Sequence, residues 1–173
     1  MRSTLKFLLA LTVAFVLMFA FRALMFTIYY VDSTGMEPVF LSGDYVMVNR
    51  WSYGLRTGGE GIFSYGRLCR QRVERGDLIA VDDSLGNVHL FECLAQPGDS
   101  IKVQGRTLIV PGLCNCARQD YYYVQAPGRA SQPPLFVPEH SIIGRACLIV
   151  YNHAPQHPFW TGYDKRRFLL PKR

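Results

Sequence analysis

The chain has 173 residues, 49% of them hydrophobic and 13% aromatic. This suits one compact domain with a short appendage and excludes an intrinsically disordered protein. Nineteen Lys and Arg face thirteen Asp and Glu, a net charge of +6, a balance compatible with nucleic acid or with an anionic membrane surface.

The first 31 residues separate these two. Residues 7–21, FLLALTVAFVLMFAF, carry no charge; Arg22 interrupts, and ALMFTIYYV continues the apolar run to Val31. A membrane-spanning helix needs about 20 mainly apolar residues. Residues 5–27 supply them if Arg22 snorkels to the interface. Arg2 and Lys6 ahead of the run predict a cytoplasmic N-terminus, and Tyr29 and Tyr30 suit an interfacial belt. No small-x-small cleavage site follows at 26–30, so the run reads as an uncleaved signal anchor and not a removable signal peptide. Residues 1–30 are thus expected to be a cytoplasmic stub and single-pass anchor, and residues 31–173 an extracytoplasmic domain. This location argues against nucleic acid, although Arg50 and Arg56 interleave with Trp51 and Tyr53. It makes membrane lipid an expected partner. The basic C-terminal DKRRFLLPKR (164–173) reads as a solvated tail or as a lipid head-group contact.

After the anchor the pattern is β. GDYVMVNRW (43–51), DLIAVDD (77–83), NVHLFECLA (87–95), SIKVQG (100–105), TLIVPG (107–112), DYYYVQ (120–125) and SIIGRACLIVYN (141–152) are rich in β-branched and aromatic residues. Gly, Pro and Asp turns separate them. The Gly- and Arg-rich 56–76 predicts a loop or ribbon, and QAPGRASQPP (125–134) a loop. The expected fold class is mainly β, with antiparallel sheets and one N-terminal transmembrane helix.

Five cysteines, Cys69, Cys93, Cys114, Cys116 and Cys147, are an odd number, so at least one thiol is free or intermolecular. The Cys114–Cys116 pair is too close in sequence for an unstrained disulfide. His140, His153 and His157 show no metal-ligand spacing, and no metal or cofactor is expected.

One stretch carries more than fold information: STGMEPVFLSGDYVMVNRWSYG, residues 33–54, followed by RGD at 75–77, PGD at 97–99 and FVPEHSIIGRA at 136–146. In this order, behind an N-terminal anchor, the segments resemble bacterial type I signal peptidases, serine endopeptidases of the Ser–Lys type. Ser33, Met36, Pro38, Gly43, Asp44, Tyr53 and Gly54 match the family pattern. The resemblance implies a signal-peptidase-like β domain on the periplasmic side of a bacterial inner membrane. It also implies substrate contacts at Ser33, Met36 and Pro38. For Met36 and nearby Phe40 two readings stay open, an apolar edge dipping into the bilayer and buried core.

In such a dyad the serine attacks the carbonyl and a desolvated, neutral lysine takes its proton. The resemblance places the nucleophile at Gly35, which has no side chain, and the lysine at Phe91, which cannot accept a proton. The Gly-Asp-Asn-Arg signature expected before FVPE is absent from VQAPGRASQPPL. The simplest reading is a non-catalytic relative, with Phe91 filling the apolar pocket that a lysine would otherwise occupy. Its expected partners are an exported precursor or signal peptide, or an active signal peptidase paralogue. The alternative is an active signal peptidase with a relocated dyad: Ser33 and His89 each lie two residues from the family positions, a step that keeps the same strand face. Thr34 faces the other side. Signal-peptidase-like binding protein, protease with an unusual dyad, and a decaying product without a role are the three readings.

Overall fold

The computed structural model describes residues 2–31, 36–58, 65–83, 86–103, 105–128, 133–154, 156–158 and 160–171. A helix, α1 (Arg2–Met25), runs directly into strand β1 (Phe26–Val31). There follow β2 (Asp44–Asn49), β3 (Leu55–Thr57), β4 (Gly66–Leu68), β5 (Leu78–Asp82) and β6 (Val88–Ala95). The rest of the chain adds β7 (Ser100–Val103), β8 (Arg106–Ile109), β9 (Tyr121–Gln125), β10 (Leu135–Pro138), β11 (Ile142–Asn152) and β12 (Leu170–Pro171).

The main sheet has the order β1-β2-β11-β5-β6-β9-β10, with β12 added to β11; β3-β4 and β7-β8 form separate ribbons. Every pairing is antiparallel. The mainly β expectation is therefore met, and each of the seven sequence segments read as β contains a strand. The Gly- and Arg-rich 56–76 holds most of the β3-β4 ribbon.

The N-terminal run behaves differently from the expectation. The helix ends at Met25, and Phe26–Val31 pairs with β2 in unbroken register, from Phe26↔Asn49 to Val31↔Asp44. Thr27, Ile28, Tyr29, Tyr30 and Val31 are β-branched or aromatic, residues that fit a pleated surface, and β2 offers them a partner. Among the described residues no helix is long and apolar enough to cross a membrane. The uncharged stretch between Lys6 and Arg22 covers only residues 7–21, about 22 Å of helix against a hydrocarbon core of about 30 Å.

The centre of the sheet is buried on both faces. In β5, Leu78 and Ala80 join one core cluster with Val31, Met36 and Leu90, whereas Ile79 and Val81 join a second with Tyr53, Cys93 and Tyr122. The alternation follows from the two-residue period of a strand. Met36 is 8% exposed and Phe40 fully buried, so of the two readings left open for them, core is the one the structure gives.

The motif carboxylates brace this core. Asp77 accepts a hydrogen bond from the Tyr53 hydroxyl at 2.8 Å and pairs with Arg145 at 3.0 Å. Fully buried Asp44 accepts from the Leu41 N–H at 2.8 Å and from the Asn152 amide at 2.9 Å. It also pairs with Arg167, at 2.9 and 2.5 Å. Asp99 closes its turn by accepting from the Gln96 N–H at 2.6 Å and pairing with Arg75 at 2.7 Å. The C-terminal stretch is thus not a freely solvated tail, because Arg167 docks it onto β2. All five cysteines are free thiols, with Cys93 buried and Cys69, Cys114 and Cys116 exposed.

Candidate functional site

Gly35 and Ser33 lie within 32–35, outside the described residues, so the site is built from what surrounds them. The described chain resumes at Met36, whose carbonyl accepts from the Phe40 N–H at 2.9 Å, winding residues 36–40 into a tight turn. Met36 is buried and Pro38 exposed. The turn after β9 presses on this backbone. Gly128 has φ +82°, and a Cβ there would stand 2.4 Å from the Glu37 carbonyl oxygen and 2.9 Å from that of Met36. Only glycine accepts both the left-handed backbone and the close approach. Reading 125–134 as a plain loop misses this contact; the Pro-Gly at 127–128 was its one sequence signal.

Phe91 sits in β6 opposite Ile79 and packs against the second core cluster. Leu90 points to the other face, in the cluster that contains Met36. Phe91 does not fill its surroundings as expected. It forms part of the wall of an open cavity of about 950 Å³, together with His89, Leu135, Phe136, His140 and Ser141. The aromatic ring is only half-buried because the cavity stays open beside it.

His89 shares this face with Phe91, two residues along the strand, with ring centroids 6.3 Å apart. His89 is exposed, and among the described residues no hydrogen bond orients its ring. A general base is normally held by a third group. Arg56, Asp82 and Asp83 line the same cavity, with Arg56 3.6 Å from Asp82; His140 Nδ1 lies 2.9 Å from Gln119 Oε1, and the Ser141 hydroxyl donates to the Pro138 carbonyl at 2.9 Å. Among the described residues no group of three His, Cys, Asp or Glu side chains could hold a metal ion.

Burial dominates the electrostatics nearby. Desolvation pushes the Cys93 thiol up to about 12 and the Tyr122 phenol up to about 12. The Tyr53 phenol is raised further by burial and by its hydrogen bond to Asp77. These groups stay protonated near neutral pH and offer neither a thiolate nor a phenolate.

A family model described as signal peptidase, peptidase S26, matches residues 4–133. The chain belongs to the signal peptidase S26 family. A signal peptidase I from Bacillus licheniformis is 30% identical over 104 residues, which are 60% of this chain and 48% of that relative. The chain thus matches about half the length of that signal peptidase. The family match spans the 33–54 stretch, RGD and PGD. The structure gives those motif residues the bracing roles of Tyr53, Asp44, Asp77 and Asp99.

Proposed function

We propose that this chain is a membrane-anchored, non-catalytic member of the signal peptidase family that holds an extended segment of an exported precursor. The observation that carries the proposal is the pair Gly35 and Phe91 at the positions where the family resemblance puts nucleophile and base. Glycine has no nucleophile and phenylalanine no basic atom, and His89, two residues from Phe91 on the same strand, has no orienting hydrogen bond among the described residues.

Binding has physical support of its own. Among the described residues β1 is the terminal strand of the sheet and pairs with β2, and a terminal strand can accept an extended peptide by strand addition. Tyr29 and Val31 of β1 pack on the first core cluster, while Phe91 and its open cavity supply an apolar contact on the second. A precursor or its signal peptide is the first client, and an active signal peptidase paralogue the second.

The anchor in this proposal is α1. Its large apolar residues from Phe7 to Phe21 are exposed, on all sides of the helix and not as one amphipathic stripe. Lys6 and Arg22 reach the two interfaces by snorkelling. The domain then lies on the periplasmic side of a bacterial inner membrane, crossed once.

The test uses the full-length chain in lipid with an exported precursor, alongside Ser33→Ala and His89→Ala variants. The expected result is no cleavage and co-purification of the precursor. Cleavage by the wild type that is lost in either variant would replace this proposal with a protease using Ser33 and His89.

A further inference from the structure

A second cavity, of about 350 Å³, adjoins the Phe91 cavity through the shared Arg56 and Asp82 and is lined also by Tyr29, Arg50, Gly58 and Ile143. Among the described residues its wall holds two guanidinium groups and one carboxylate. Arg56 lies 3.6 Å from Asp82. Arg50 is half-buried, and among the described residues its guanidinium has no hydrogen bond or ion pair. An arginine that no described carboxylate pairs within salt-bridge distance can give its guanidinium to an anionic ligand.

The position of this cavity says which anion. The Arg50 N–H donates to the carbonyl of Met25, the last residue of α1, at 2.9 Å, so Arg50 is fixed where the helix leaves for the sheet. Arg22 sits in the helix's last turn. Trp51, next to Arg50, is 37% exposed, and Phe26, Ile28 and Tyr30 are exposed on the face of β1 opposite the cavity-lining Tyr29. Basic and aromatic side chains gathered at the end of an apolar helix are the composition of a membrane–water interface.

The geometry points to a lipid head-group site: the Arg50–Arg56 cavity takes the phosphodiester of an anionic phospholipid at the exit of α1. The inference rests on α1 as a membrane anchor, and the experiment keeps the two apart. Flotation of the full chain with phosphatidylcholine vesicles, with and without phosphatidylglycerol, followed by carbonate extraction, reads the anchor alone. The site is read separately in detergent, where no insertion is needed. In a Trp160→Phe background Trp51 is the only tryptophan, and its emission is followed while short-chain phosphatidylglycerol, short-chain phosphatidylcholine or inorganic phosphate is added.

Saturable binding of phosphatidylglycerol is expected, stronger than that of either other probe and weakening with salt. Arg50→Gln should weaken it about fivefold, the effect of one basic residue at an anionic surface. Arg106→Gln, an exposed arginine on the separate β7-β8 ribbon, should leave it unchanged. Equal binding by inorganic phosphate overturns the lipid assignment. An unchanged response in Arg50→Gln, or an equal loss in Arg106→Gln, overturns the site. Failure of flotation with both vesicle types overturns the anchor, whatever the detergent titration gives.

Discussion

Tyr53, Asp77 and Arg145 come from three separated motifs and meet at one buried carboxylate. Asp77 is 4% exposed, so removing a partner strands charge in the core. Tyr53→Phe should cost about 1 kcal/mol, the net value of one hydrogen bond, and Asp77→Ala about 3 kcal/mol, since the Tyr53 hydroxyl and Arg145 lose their acceptor. Urea midpoints at constant slope would check both. Thiol chemistry gives a second residue-scale expectation. Cys93 is buried and its thiol is pushed up to about 12 by desolvation, with Asp77 adding to it. In the native protein at pH 8, iodoacetamide should modify exposed Cys69, Cys114 and Cys116 first, and Cys93 only after denaturation. Peptide mapping by mass spectrometry would show Cys93 labelled early if this reading were wrong. At the same scale, Asp99 is held below the ordinary carboxylate range, chiefly by its hydrogen bond from Arg75, with the Gln96 N–H assisting. Its folded value lies below the unfolded one. The pair therefore stabilises fully above the unfolded value, about pH 4, and the contribution is lost as pH falls through the folded value. Asp99→Asn should flatten the acid limb of the stability curve below pH 4.

At the scale of elements, the strands were legible and their edges less so. β-branched and aromatic residues mark β2, β5, β6 and β11: β2 alternates because one of its faces carries the core residues Val46 and Val48, and β5 is apolar throughout because both of its faces are buried. β1 was hidden for a physical reason. Phe26–Val31 is apolar throughout, and a continuous apolar run does not distinguish the end of a helix from an edge strand; pairing with β2 decides it. The candidate site was legible only by position. Residues 35 and 91 could be named from motif spacing, but the open cavity beside Phe91 depends on β10, whose place comes from its pairing with β9. The contact of Gly128 with residues 36–37 was not legible, since it joins segments about ninety residues apart. It carries its own prediction. Gly128→Ala adds a Cβ 2.4 Å from the Glu37 oxygen at φ +82°, so the turn must move away from the Met36 backbone. The expected cost is about 1–3 kcal/mol, with a loss of precursor binding larger than that caused by Phe136→Ala on the far side of the cavity. Pull-down of the same precursor with both variants would check the order; equal losses would detach the Gly128 turn from the binding site.

For the whole molecule, the arrangement that matters is how the ends of the chain are tied to the sheet. α1 enters through β1 at one end of β2, near Asn49, and the C-terminal segment returns to the other end, at Asp44. There Arg167, only 12% exposed in its side chain, donates to both Asp44 oxygens and to the Val39 carbonyl at 3.1 Å. Asp44 is fully buried and among the described residues keeps the Leu41 N–H and the Asn152 amide if Arg167 is removed. Val39 belongs to the turn that follows position 35 and packs on the first core cluster. The basic C-terminal stretch thus stabilises the backbone next to the candidate site, about 130 residues away in sequence. Arg167→Ala should destabilise the domain by about 3 kcal/mol, whereas Arg166→Ala, at an exposed neighbour, should change it by less than about 0.5 kcal/mol. If the stretch served only as a charged surface, the two substitutions would act alike. Thermal midpoints of the two variants decide between a structural clasp and a charge patch, and the buried Asp44 predicts the clasp.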